Sequence, residues 1–195
     1  MKRILFAAAA IAALGMSTHA FAQTATGTIT VTGTVTGSCS VVTGGSGNAF
    51  GGTIALGELD DTTTGYLQTG LEGATPVSGA TQSFQINCNS GNPTVALSAT
   101  RLSTTGSSTG GYSANIDYTA DVTAAKAGGG TTLYHYTTAA SLPVASSGQL
   151  GDRLANTPAN IVVDARSFAA ENGATSILDA GSWSSTITVV ISPTS

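Results

Sequence analysis

From Ile29 to Val41 every second residue is apolar or small: Ile29, Val31, Gly33, Val35, Gly37, Cys39 and Val41. The residues between them are all Thr or Ser. A period of two marks a strand with one face made for burial. Similar runs recur. "GTIALGEL" (52–59) alternates Ile54 and Leu56 among small residues, and "TQSFQINCNSG" sets Phe84, Ile86 and Cys88 on one face. "TVALSAT" alternates Val95, Leu97 and Ala99. "YSANIDYTADV" places Tyr112, Ala114, Ile116, Tyr118, Ala120 and Val122 on one side, and "SWSSTITVVISPTS" keeps Trp183, Ile187, Val189 and Ile191 in phase. "TTLYHYT" and "ANIVVDA" are shorter strand candidates, and "RSFAAENGATSI" is the one stretch expected to hold a turn or two of helix. Gly, Ser, Thr and Pro clusters such as "TGGSGNAFGG" and "KAGGGTT" lie between the runs and read as turns. No repeat of 20–50 residues is visible. Many short alternating strands with Gly-rich turns predict an all-β, antiparallel β-sandwich of one domain.

The N-terminus changes the picture of where this sandwich works. Lys2 and Arg3, the apolar run "ILFAAAAIAALGM" and "AFA" before Gln23 form an export signal over residues 1–22, cleaved after Ala22. Without Lys2 and Arg3, four basic residues (Arg101, Lys126, Arg153, Arg166) face ten acidic ones, a formal charge of −6 with His neutral. Four scattered cations cannot make a nucleic-acid or anionic-lipid surface. Only 8% of the chain is charged, against roughly 25% in soluble domains. Charge is the usual guard against edge-to-edge strand pairing, so the deficit suits a protein that associates. An exported chain with two cysteines, Cys39 and Cys88, most simply closes one disulfide. Metal binding competes with that reading, and two thiols with no CxxC and no nearby His argue against it.

Candidate chemistry is sparse. His135, in "TLYHYT", is the one histidine after the signal, and it has no second His or free Cys beside it in sequence. Asp60 and Asp61 are adjacent and point apart in an extended chain, unlike the facing carboxylates of glycosidases. GxSxG, HExxH and Walker patterns are missing. Trp183 and Tyr66, Tyr112, Tyr118, Tyr134 and Tyr136 offer a carbohydrate-binding face, but most fall in phase with core positions. The residues predict no enzyme, no cofactor, no metal and no small-molecule substrate.

A signal, an alternating Thr/Val segment running into "GSCSV", then "GTIALG", "FQINCNSGNPTVALSA", and an aromatic followed by "STITVVIS" together resemble the subunits of chaperone–usher pili. The likeness is to the archaic branch and to the related spore coat protein U domain. The most specific parts are the paired cysteines and the ending Gly181, Trp183, Thr186, Ile187, Thr188 and Val189; residues 103–160 match weakly. The resemblance implies an incomplete immunoglobulin-like sandwich over 36–195, lacking its last strand, with a donor-strand extension over 23–35. It implies Gly27, Ile29, Val31, Gly33 and Val35 as the face inserted into a neighbouring subunit. Its implied partners are other copies or related pilins, a periplasmic chaperone and an outer-membrane usher, and its implied location is the cell surface. The competing expectation is a secreted, self-contained β-sandwich that binds or adheres.

Overall fold

The computed structural model describes residues 28–77, 79–139 and 147–194; the expected signal peptide and Gly27 lie outside the described residues. Contacts divide the chain into two units between Thr34 and Val35. In the first, residues 28–34 join no strand ladder, and Ile29 and Val31 are 90% and 91% exposed.

The second unit is all-β, with no helix among the described residues. Its strands are β1 (Cys39–Thr43), β2 (Gly45–Ser46), β3 (Ala49–Phe50), β4 (Thr81–Cys88), β5 (Thr94–Ala99), β6 (Leu102–Ser103) and β7 (Tyr112–Ser113). They continue with β8 (Asn115–Ala125), β9 (Thr131–Thr137), β10 (Ser147–Gln149), β11 (Ile161–Ala170), β12 (Ile177–Leu178) and β13 (Ile187–Ser192). One sheet runs β1-β4-β11-β8-β6, with β9 also paired to β8; a second runs β10-β5-β13. These ladders are antiparallel, and among the described residues only the short β7–β12 pair is parallel. The result is a sandwich-like all-β fold.

The two-residue period builds the core directly. Ile116, Tyr118, Ala120, Val122 and Ala124 of β8 are buried, as are Phe84 and Ile86 of β4 and Val95 and Leu97 of β5. Ala114 is buried with them, whereas Tyr112, expected on the same face, is 45% exposed. On β11 Ile161, Val163 and Ala165 face inward; then Ser167 takes a φ of 56° and the register shifts before Ala169. This bulge absorbs one residue, so that Phe168 and Ala170 return to the core. The helical turn expected in "RSFAAENGATSI" is therefore corrected to a strand that continues to Ala170.

Where β4 outruns β11, a side chain replaces the ladder. The fully buried Asn160 accepts from the Ile86 N–H (2.9 Å) and donates to the Ile86 and Ala155 carbonyls (2.7 and 2.5 Å). Cys39 and Cys88 are cross-strand partners of β1 and β4 and form a disulfide. Gly44, with φ of 85°, lets the chain turn over the Phe84 ring, which a Cβ there would meet at 2.4 Å.

Candidate functional site

Among the described residues the second sheet ends at β13, whose one ladder is with β5. The Thr100 N–H donates to the Thr186 carbonyl at 3.0 Å. In an antiparallel pair the backbone groups alternate between partner and open side. Thr188, Val190 and Ser192 therefore turn their backbone groups toward β5, while those of Ile187, Val189 and Ile191 point to the free edge. The same three side chains face inward and pack, half-buried, against the core. An edge of this kind is a template for another strand.

Opposite that edge runs the segment after β3. "GTIALGEL", expected as a strand, joins no ladder over 52–58; among the described residues no backbone–backbone bond reaches it. It is held instead by side chains. Gln82 Nε2 donates to the Thr53 carbonyl at 2.9 Å. Gly52 lies so close to the Gln82 amide that a Cβ would meet Oε1 at 2.5 Å. Phe50 packs on Phe84 with ring centroids 4.7 Å apart, and Ile54 and Leu56 pack on the core while half-exposed.

Between these margins lies a groove of about 580 Å³. Phe84, Tyr118, Val163, Ala165 and Phe168 line its floor, and Ile54, Leu56, Trp183, Ile187 and Val189 line its walls. Its polar groups are largely committed to one another. Ser185 Oγ donates to the Thr100 carbonyl at 2.7 Å, which leaves the Tyr118 hydroxyl to donate to Ser185 Oγ at 2.6 Å. Burial pushes the Tyr118 hydroxyl above the usual phenol range, although the Ser185 bond acts the other way. Tyr118 stacks on Phe168 at 5.4 Å, and the Trp183 indole donates to the Asp179 carbonyl at 3.1 Å. What stays unsatisfied is apolar surface and two lines of backbone. This chemistry suits an extended chain with alternate aliphatic side chains.

The sequence-predicted face has that character. Ile29, Val31 and Val35 are 90%, 91% and 87% exposed, and Gly33 has nothing around its Cβ position. One residue after Val35 the chain becomes anchored: Asn89 Nδ2 donates to the Thr36 carbonyl (2.9 Å), and the Ser38 N–H donates to Asn89 Oδ1 (2.7 Å). Sequence reasoning missed this anchor.

The remaining candidates stand elsewhere. His135 is exposed on β9 directly opposite Asp121 of β8, a carboxylate neighbour that only the strand register supplies. Asp121 is itself opposite Asp164 of β11 and ion-paired to Arg166. Burial, then the Asp121 charge, push the Asp164 carboxyl up to about 6, partly opposed by Arg166. Asp60 and Asp61 sit in a turn, where the Thr63 and Thr64 N–H groups hold the Asp61 carboxyl below its usual range. Tyr118 and Tyr134 are buried, Tyr66 and Tyr136 half-buried. Among the described residues no group of three or more His, Cys, Asp or Glu is arranged to hold a metal.

No family model matches the chain, and no curated protein or solved structure matches it significantly.

Proposed function

We propose that this chain is a structural subunit of an extracellular fibre of the pilus type, joined by donor-strand complementation. The extension of one copy, 23–35, fills the groove of the next with Ile29, Val31 and Val35 as plugs, and Gly27 and Gly33 as points of close approach. The observation that carries the reading is the apolar groove between two unpaired backbone margins, in a chain that also exposes a perfectly alternating segment. Strand addition of this kind takes affinity from main-chain bonds and specificity from alternate side chains in pockets. Each Ile or Val plug buried is worth roughly 1.5–3 kcal/mol, before ordering costs are deducted. An immunoglobulin-like sandwich short of its final strand, a periplasmic chaperone that covers the groove before assembly, an outer-membrane usher and a cell-surface location belong to the same proposal. The low charge of the chain supports it, since ordinary exported domains guard such edges.

The test uses a full chain beginning at Gln23. Substituting Ile29→Asp together with Val31→Asp should abolish fibres in electron micrographs and leave a folded monomer. That monomer should bind a synthetic peptide spanning Gln23–Val35. Wild-type assembly by the double variant would refute the reading.

A further inference from the structure

The few charges of the sandwich are segregated. β8 is 11 residues long, roughly 35 Å at about 3.3 Å per residue, and its two ends differ in sign. Near its start lie seven of the ten acidic residues. The Glu171 N–H donates to the Asn115 carbonyl, and the Asp179 N–H to that of Ser113. Asp60 bridges to Leu67, and its neighbour Tyr66 to Ile177, tying the 58–61 acids to the same end; Glu72 follows Leu71, whose carbonyl takes the Phe168 N–H. Arg101 is ion-paired to Glu171 and Asp117. Glu58 and Asp60 crowd each other, and the contact raises the Glu58 carboxyl above its usual range. Amid these acids Tyr112 and Ile177, cross-strand partners, are exposed.

At the far end Lys126 follows β8, and the Ala127 N–H donates to the Arg153 carbonyl at 2.9 Å. Neither cation joins an ion pair among the described residues. The one acid there, Asp152, is held by the Gly128 and Arg153 N–H groups. The root of the extension shares this end. Asn89 holds Thr36 and Ser38, a Cβ on Gly37 would meet Pro193 at 3.1 Å, Ser90 bonds Thr194, and Asn92 Oδ1 accepts the Gly151 N–H.

We propose, resting on the fibre reading above, that successive copies dock pole to pole. Lys126 and Arg153 of one copy meet the acidic end of the next around Tyr112 and Ile177 when the inserted extension lies antiparallel to β13. Val35 is the residue before anchored Thr36, so no slack separates the last plug from its own sandwich. Antiparallel insertion brings the donor's basic end to the Trp183 end of the groove, where the indole already contacts Asp179. Parallel insertion would bring two basic ends together. Rim charge pairs of this sort act on orientation and association rate more than on final affinity, and salt screens them.

The test follows self-association of the full chain from Gln23 by light scattering. Lys126→Glu with Arg153→Glu should slow it at least tenfold in low salt, with the difference shrinking in high salt and the melting temperature unchanged. Adding Asp60→Lys and Asp61→Lys to that chain should restore the rate. A second arm adds a peptide of Gln23–Val35, with a photoreactive group at its N-terminal end, to the full chain carrying Ile29→Asp and Val31→Asp. Label should fall at the Val189–Pro193 end of the groove in every pole variant. Wild-type association by Lys126→Glu/Arg153→Glu in low salt, or label at Trp183–Ser185, overturns the pole contact while leaving the groove reading intact. Failure of the peptide to bind at all sinks the groove reading and the pole contact with it.

Discussion

The margin along β8 and the margin along β13 are built from the same kind of alternating strand and finish differently. At β8 two strands share one edge: β6 pairs with Ile116 and Asn115, and β9 takes over from Thr119 to Ala125. Val122 is fully buried there and its partner Tyr134 nearly so. Among the described residues the β13 edge facing Phe50–Leu56 meets no strand, and Ile187 and Val189 stay half-exposed over the groove. Alternation therefore makes a face fit for burial without saying who supplies the cover. On one side the chain covers itself; on the other, among the described residues, it leaves backbone and aliphatic surface open.

The largest expected effect lies at the disulfide, which ties the short edge strand β1 to β4. Cys39 and Cys88 are 49 residues apart, and opening a loop of that size costs about 4 kcal/mol in the chain-entropy account. Replacing both cysteines by Ser should lower stability to urea by about that amount. Hydrogen exchange should rise first in β1, before the amides of β8 and β11. Equal loss of protection in both would mean that the edge strand β1 is held no less firmly than the interior strands β8 and β11.

A second test concerns the outward face of the closed side. Asp164 is 8% exposed, faces Asp121, and has its carboxyl raised to about 6 from 3.8. Between these values the folded state holds a proton that the unfolded chain has released, so stability falls as pH rises from about 4 to about 6. Two units correspond to about 3 kcal/mol at most. Asp164→Asn should thus stabilise the fold at pH 7 by up to that amount and change little at pH 4, read from paired urea titrations. A constant difference across that range would show that Asp164 does not titrate there.

Much of this architecture is legible in the sequence, and the parts that are not share a cause. The buried faces of β4, β5 and β8 follow from the two-residue period, because the pleat enforces it. The continuation of β11 to Ala170 does not: Ser167 at positive φ shifts the phase, and the apolar spacing around Phe168 then imitates a helix. The unpaired run 52–58 has the pattern of a strand and lacks only a neighbour. The anchor at Thr36 depends on Asn89, some fifty residues away, and the acidic end gathers Asp60, Glu72 and Asp179 from three separate turns. Contacts of that kind are set by topology, to which local alternation is blind.

The smallest expected effect on folding separates the two margins most directly. Val122→Ala deletes two methyl groups from a fully buried site, a cost of about 2 kcal/mol once lost transfer and residual cavity are combined. The same deletion at Val189, half-exposed beside open space, should cost under about 1 kcal/mol, since little contact is lost. The order should reverse when binding is measured. A peptide of Gln23–Val35 should bind the Val122→Ala chain with unchanged affinity in conditions where that chain is folded. Val189→Ala should weaken it about tenfold or less, since about 1.4 kcal/mol corresponds to a factor of ten. Equal stability losses at the two positions would mean that the groove wall is already covered in the isolated chain, and the difference between the margins would vanish.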